Sequence, residues 1–373
     1  MTRQMNESGA AGLALSGGCF RATLFHLGAV WRLNELAMLP EIGIFSSVSG
    51  GSILAGLLAV QWHKLNFQKG VAVNFHQEIV EPAWQFCSIN IDRAAFIMGL
   101  VSGTRKLEQS YRRHLVGDAV LRDLPDEPQF IFNTAHLETG RNCTLSKAGL
   151  HTWRLGDIEI PDLTLAKAIA ASSACPPFFP AVRLDLDPNA FMKTRYADLF
   201  HRDDLKGRMS LTDGGAYDNL GVHAIRDCTT MLVSDGSSPL SPTKSRGFAR
   251  QFNHRVMRPM AAAVEQTRAI RRHQLVEDFE NGLKKGALWY GNTNIQNYPI
   301  PSPFVVRPEW RDHFGSIRTR LNAFNIAEKS KLINWGYVMC DLSIRSYYRT
   351  EDPPPDRLPF ERFIFSGRPQ RAA

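Results

Sequence analysis

Three hundred and seventy-three residues allow one large domain or two modest ones. With 44% apolar and 21% charged residues, the composition excludes a disordered or fibrous chain, and the length suffices to bury a core without disulfide or metal staples. Lys and Arg outnumber Asp and Glu by 44 to 36; the net charge of +8 favours an anionic partner, nucleic acid or phospholipid, without choosing between them.

Residues Met1–Gly12 are polar and too short in apolar content for a signal peptide. Gly12–Leu15 then reads as a strand, Ser16-Gly17-Gly18 as a turn, and Leu24, Leu27, Val30, Trp31 and Leu36 recur at helical spacing. A second such unit follows: strand Ile42–Val48, turn Ser49-Gly50-Gly51, apolar helix Ser52–Trp62. Alternating strands and helices predict parallel pairing in a sheet covered on both faces. Further strands are expected at Gln129–Asn133, Met209–Thr212 and Thr230–Ser234, and a helix at Leu163–Ser173 stopped by Pro176-Pro177. Asn66–Leu121 and Asp185–Lys206 read as insertions. Asn253–Lys285 has helical composition with a basic character from Arg268, Arg271, Arg272, Lys284 and Lys285, and Ile317–Tyr348 reads as one or two more helices. The expected organisation is a polar segment 1–11, one α/β domain over 12–348, and a proline-rich tail over 349–373.

The six cysteines are scattered singly, without a Cys-x-x-Cys pair or a nearby histidine group, so zinc-ribbon and redox motifs are excluded and reduced thiols are expected. The longest apolar run, Ile53–Val60, falls short of the roughly 18 residues of a spanning helix. A cytoplasmic chain is expected, with peripheral membrane contact or signal-independent secretion left open.

Three short motifs carry chemistry. Ser47-Val48-Ser49-Gly50-Gly51 lies between an apolar strand and an apolar helix. A serine in such a sharp turn has its hydroxyl lifted above the sheet, and the small residues Ser47 and Gly51 on either side let the backbone turn close to its neighbours. The same pattern also serves as a plain strand-to-helix turn. Ser16-Gly17-Gly18-Cys19-Phe20-Arg21 is a glycine-rich turn at a helix start, which aims backbone N–H groups at an anion. It lacks the Gly-Lys-Ser/Thr of a nucleotide P-loop and the third glycine of a dinucleotide fingerprint, so an oxyanion gains by elimination if a nucleophile is near. Asp213-Gly214-Gly215 closes a predicted strand, and carboxyl strand ends of a parallel sheet gather on one ligand-binding rim.

In this order the segments LSGGCFRA (Leu15–Ala22), SVSGG (Ser47–Gly51) and DGGAYDN (Asp213–Asn219) resemble the patatin-like phospholipases. FIFNTAHLETG (Phe130–Gly140) and AIAASSACPPFFPAV (Ala168–Val182) are also similar, and the resemblance extends roughly over Gly12–Asp235. It implies a three-layer α/β/α core and a Ser–Asp dyad without histidine. Ser49 would be the nucleophile, Asp213 the general base, and the N–H groups of Gly17, Gly18 and Cys19 the oxyanion hole, steadied by Arg21. Cys19 stands where the family has a third glycine and Ala22 where it has a small residue, usually glycine. If the turn demands positive φ at Cys19, its Cβ costs strain and the hole is imperfect; the alternative, ordinary helical geometry in which only its N–H matters, is the expectation preferred, since the helix begins at once. Gly214, Gly215, Asn219, Asp218 and Asp235 shape the rim or stabilise its turns. His223 and His26 are the candidates for a rival histidine triad, although packing roles suit both. The resemblance implies a phospholipase A or lysophospholipase cleaving glycerolipid esters through an acyl-enzyme. An acyltransferase and a non-catalytic lipid-binding or regulatory protein are the alternatives. No metal, cofactor or nucleic acid is expected; the basic Asn253–Lys285 stretch is a candidate for contact with anionic membrane or simply a solvated face. A regulatory partner would leave no trace in the sequence.

Overall fold

The computed structural model describes residues 11–91, 103–240, 255, 258–304, 306 and 309–363. The polar N-terminal segment up to residue 10, part of the first insertion, most of 241–257 and the tail beyond 363 lie outside the described residues.

Strand β1 (Ala11–Leu15) is buried along its whole length, as an uninterrupted apolar run requires of a strand paired on both sides. It pairs in parallel with β2 (Ile42–Ser47) and with β11 (Thr230–Asp235). β2 continues in parallel to β5 (Gln129–His136), and β11 to β12 (Lys285–Tyr290). Beyond β5 the sheet becomes antiparallel through β6 (Arg141–Ser146), β7 (Gly149–Thr152) and β8 (Gly156–Ile158). β9 (Val182–Asp185) and β10 (Arg208–Asp213) join it as an antiparallel pair, β10 lying against β5. β3 (Phe67–Gln68) and β4 (Val71–Ala72) form a separate small ribbon.

Alternation along the central strands sends side chains to two cores. Leu13, Leu15 and Leu232 face a large one shared with helices α1 (Cys19–Glu35), α2 (Gly50–Gln61) and Ile326–Tyr347. Ala14, Met231 and Val233 face a smaller one closed by Leu275 of the Arg258–Glu280 helix. The result is a sheet between two helical layers, the expected α/β/α architecture. α1 and the Ile326–Tyr347 helix cross at backbone contact: a Cβ on Gly28 would lie 1.9 Å from the Ile333 carbonyl, and one on Gly336 1.8 Å from that of Phe25.

Two features depart from the expected elements. The helix expected to reach Lys285 ends at Glu280, where Gly282 at φ 69° breaks it, and Lys285 opens β12. The antiparallel strands β6–β8 add to the expected elements; their half-exposed, polar stretches carry a weaker signal in the sequence than the buried central strands.

Candidate active site

β5 carries two partners on one edge. Along its first half β2 runs parallel, with Ser47 opposite Phe132; along its second half β10 runs antiparallel, with Asp213 opposite Thr134. β6 occupies the other edge, opposite residues 132–136. The carboxyl ends of β2 and β10 therefore meet head-on, and the residues just beyond Ser47 arrive beside Asp213. Asp213 therefore does not end a parallel strand on a common rim, as expected from the sequence; its strand enters from the opposite direction, and shared use of one edge of β5 brings it to Ser49.

Ser49 occupies the turn between β2 and α2 at φ 50° and ψ −113°, a strained conformation for a residue with a Cβ. The surrounding contacts hold it there. Its amide donates to the Ser172 carbonyl and hydroxyl at 3.2 and 3.1 Å. Beneath it, the Ser172 hydroxyl donates to the Asn133 carbonyl (2.7 Å) and meets the Ser52 hydroxyl (2.8 Å), which donates to Ser47 (3.0 Å). Ser47 in turn donates to the Ile131 carbonyl (3.1 Å) and so belongs to the support, not the reacting groups. Ser172 and Asn133 lie inside segments that look familiar as strings, yet nothing in the sequence singles out these two side chains. Gly51 lets the elbow press on β1, since a Cβ there would lie 2.2 Å from the Leu15 carbonyl.

The Asp213 carboxylate accepts a hydrogen bond from the Gly215 amide at 2.7 Å, and the Ser49 hydroxyl lies near enough to favour its charged form. Burial pushes its pKa up from 3.8 to about 6, although the Gly215 amide and the Ser49 hydroxyl pull the other way. Ser49 and Asp213 are 5% and 6% exposed, so the pair lies just beneath the surface. Gly214 passes tightly over β5: a Cβ there would meet the Asn133 carbonyl at 2.4 Å.

The glycine loop abuts the same pair, and a Cβ on Gly17 would come within 3.3 Å of the Ser49 Cβ. Two expectations about it fail. The Gly17 amide donates to the Asn219 carbonyl at 3.0 Å, so it is committed to holding the loop. Cys19 is not in ordinary helical geometry but at φ 53°, after Gly18 at φ 142°. The chain must reverse sharply where its carbonyl packs on the elbow; a Cβ on Gly50 would lie 2.2 Å from the Cys19 oxygen. Among the described residues the amides of Gly18 and Gly50 have no hydrogen-bond acceptor. Asn219 locks the loop further through its side chain, which donates to Ser237 (2.8 Å), and Ser237 donates to the Gly17 carbonyl (3.1 Å).

Arg21 is buried under this loop. Its guanidinium donates to the carbonyls of Gly236 (3.3 Å) and Ile317 (3.0 Å) and to Thr319, and lies over Phe314. Burial lowers its pKa to about 10.

Neither histidine joins the pair. His26 bridges Ser234 (2.7 Å) and the Ser16 carbonyl (2.9 Å), and burial lowers its pKa to about 4, so it is a neutral prop for the glycine loop. The His223 amide donates to Asp218 (2.8 Å), and its ring meets Arg226 and Tyr217. Asp218 and Asp235 cap turns, Asp218 accepting also from the Leu220 amide and Asp235 from the Ser237 amide.

On the Arg258–Glu280 helix, Arg268, Arg271 and Arg272 turn toward the protein, while much of the rest of the helix is exposed. Arg271 pairs with Asp218 at 2.5 Å, and Arg268 and Arg272 approach Asp235 at 3.5 and 3.7 Å. Lys284, beyond the helix, donates to the carbonyls of Arg226 and Cys228. Among the described residues no cluster of three His, Cys, Asp or Glu is placed to hold a metal ion, and no helix is long and apolar enough to cross a membrane.

The patatin-like phospholipase family model matches residues 13–226, more than half of the chain and all three motifs. The chain belongs to the patatin-like phospholipases. Solved structures similar to this patatin-like chain include human GIVD cytosolic phospholipase A2 (12% identity, 64% of this chain and 47% of that one, TM-score 0.39). The same enzyme in complex with methyl gamma-linolenyl fluorophosphonate aligns over 91% of this chain and 58% of its own at 12% identity (TM-score 0.47). VipD from Legionella pneumophila aligns at 14% identity over 89% of this chain and 66% of its own (TM-score 0.37). In the first of these alignments this chain spans about half the length of the human enzyme. No curated protein matches the chain.

Proposed function

We propose that this patatin-like phospholipase is a serine acyl hydrolase of glycerolipid esters, of phospholipase A or lysophospholipase type, working through a Ser49–Asp213 dyad. The observation that carries the reading is the buried Asp213 carboxylate brought beside Ser49 by two strands that meet end to end, with Ser49 held in a strained elbow. In acylation, the Ser49 oxygen attacks the ester carbonyl as its proton passes to Asp213. The Gly18 and Gly50 amides, at the starts of α1 and α2, stabilise the oxyanion. Collapse of the tetrahedral intermediate breaks the ester C–O bond, and the leaving alkoxide takes the proton from Asp213. Water then attacks the acyl-enzyme with Asp213 again accepting the proton, releasing the fatty acid and restoring Ser49.

A carboxylate with pKa about 6 is ionised at neutral pH and is a stronger base than a solvent-exposed aspartate. His223, committed to Asp218 and Arg226, has no part in these steps. The test is labelling with a fluorophosphonate probe together with hydrolysis of mixed phospholipid vesicles read by mass spectrometry. Ser49→Ala and Asp213→Asn are expected to lose labelling and fatty-acid release, while His223→Ala keeps most of both. Loss in the histidine variant equal to that in Ser49→Ala would overturn the dyad.

A further inference from the structure

We propose that the Arg258–Glu280 helix is a positioning clamp, its Arg268, Arg271 and Arg272 holding the glycine loop and the Asp213 turn in register from outside through the buried carboxylates of Asp218 and Asp235. The inference rests on the acyl-hydrolase reading, and it concerns a helix outside the stretch 13–226 that matches the family.

Asp218 and Asp235 are each 1% exposed, and each belongs to a different wall of the site. Asp218 lies in the turn that follows Asp213-Gly214-Gly215 and fixes it through the Leu220 and His223 amides. Next in sequence is Asn219, whose carbonyl holds the Gly17 amide and whose side chain holds Ser237. Asp235 ends β11 and fixes the Gly236-Ser237 turn through the Ser237 amide. That turn reaches the glycine loop: the Gly236 amide donates to the Ser16 hydroxyl (2.9 Å) and Ser237 to the Gly17 carbonyl (3.1 Å). The two walls and the loop are thus joined on the inside at Asn219, Ser237 and Ser16.

On the outside, among the described residues, the arginines join them. Arg271 reaches Asp218 at 2.5 Å and lies over the Tyr217 ring at 5.2 Å. Arg268 and Arg272 reach Asp235 at 3.5 and 3.7 Å, and both also pair with Glu265 of their own helix. Arg268, Arg271 and Arg272 share one side of the helix, since three- and four-residue spacing returns to the same face and neighbours lie about 100° apart. A single rigid rod therefore grips both walls. Among the described residues Asp235 Oδ2 has no hydrogen-bond donor, so the arginine charge is what compensates it. Without that charge the buried carboxylate draws water or turns outward, and Ser237 and the Gly18 amide move with it.

The experiment uses the full chain with Arg268→Gln and, separately, Arg272→Gln, each alongside its Lys counterpart. It reads the rate of fluorophosphonate labelling of Ser49, kcat and KM for a short water-soluble ester, and hydrogen exchange at 13–20 and 213–221. A misplacement of the loop on the ångström scale predicts labelling and kcat lower by about ten- to a hundredfold with KM nearly unchanged. Lys is expected to restore part of the loss, because it returns the charge without the planar fork. Faster exchange at 13–20 and 213–221, with exchange across 326–347 unchanged, is expected beside these. Folded variants that label at the wild-type rate and exchange as the wild type does would overturn the clamp. If Arg268→Gln fails to fold, Arg272→Gln decides, since its side chain is 19% exposed and makes the longer contact. Wild-type protein that takes no label counts against the hydrolase reading instead, and the clamp then stands or falls on the exchange at those two segments.

Discussion

Ser47 and Asp213 end two strands that run toward each other along one edge of β5, Ser47 opposite Phe132 and Asp213 opposite Thr134. This end-to-end arrangement leaves room for only a short turn beyond each strand. The Ser49 hydroxyl and the Asp213 carboxylate consequently meet inside the protein, where water is scarce and the acid is hard to ionise.

That environment sets the pH dependence. Asp213 must be ionised to take the serine proton, so labelling by the fluorophosphonate and kcat/KM are expected to rise with pH through an inflection near its pKa of about 6, then level off. A profile still falling or rising through pH 8 would assign the titration to another group.

The same shift has a cost in stability, and Asp213→Asn exposes it. The folded-state pKa is raised from 3.8 to about 6, so folding favours the protonated acid. Below the unfolded value both states are protonated and the cost vanishes; it grows as pH rises between the two values and is complete above the folded one. About two pKa units correspond to on the order of 3 kcal/mol at most. Asp213→Asn is expected to unfold at higher temperature than the wild type at pH 8, with the difference shrinking toward pH 4. An equal melting midpoint at both pH values would show that the buried charge is not strained.

Cys19 tests the loop's backbone. At φ 53° a γ-carrying but unbranched side chain is tolerated, whereas Cys19→Val is expected to cost about 1–2 kcal/mol in urea unfolding. Cys19→Gly relieves the strain, loses a side chain and gains unfolded-state freedom, and is expected to stay near neutral. Equal stability of the valine variant would mean that the left-handed turn is not retained.

The helix crossing gives a purely structural check. Gly28→Ala would place a methyl 1.9 Å from the Ile333 carbonyl, and backbone cannot yield as a side-chain tip would. A loss of about 3 kcal/mol or more is expected on unfolding. Ala at Gly140, which has open space but φ 64°, is expected to cost only the smaller backbone strain.

Much of the architecture was legible in the chain itself. Short apolar stretches such as Gly12–Leu15 and the Met-Leu-Val centre of Thr230–Ser234 announce buried parallel strands, and helical spacing from Leu24 to Leu36 announces α1, because burial on both faces leaves a strong local pattern. Ser49, Asp213 and the glycine loop stood out for the same reason: tight turns admit few residue types. Tertiary structure decided the rest. That Asp213 arrives antiparallel, that the Gly17 amide is spent on Asn219, that Cys19 adopts a positive φ, and that Arg268, Arg271 and Arg272 turn inward all depend on partners far away in sequence. A local string records what a residue is able to do next to its neighbours; which distant carbonyl or carboxylate it meets is set by how the strands share their edges, and no local pattern encodes that.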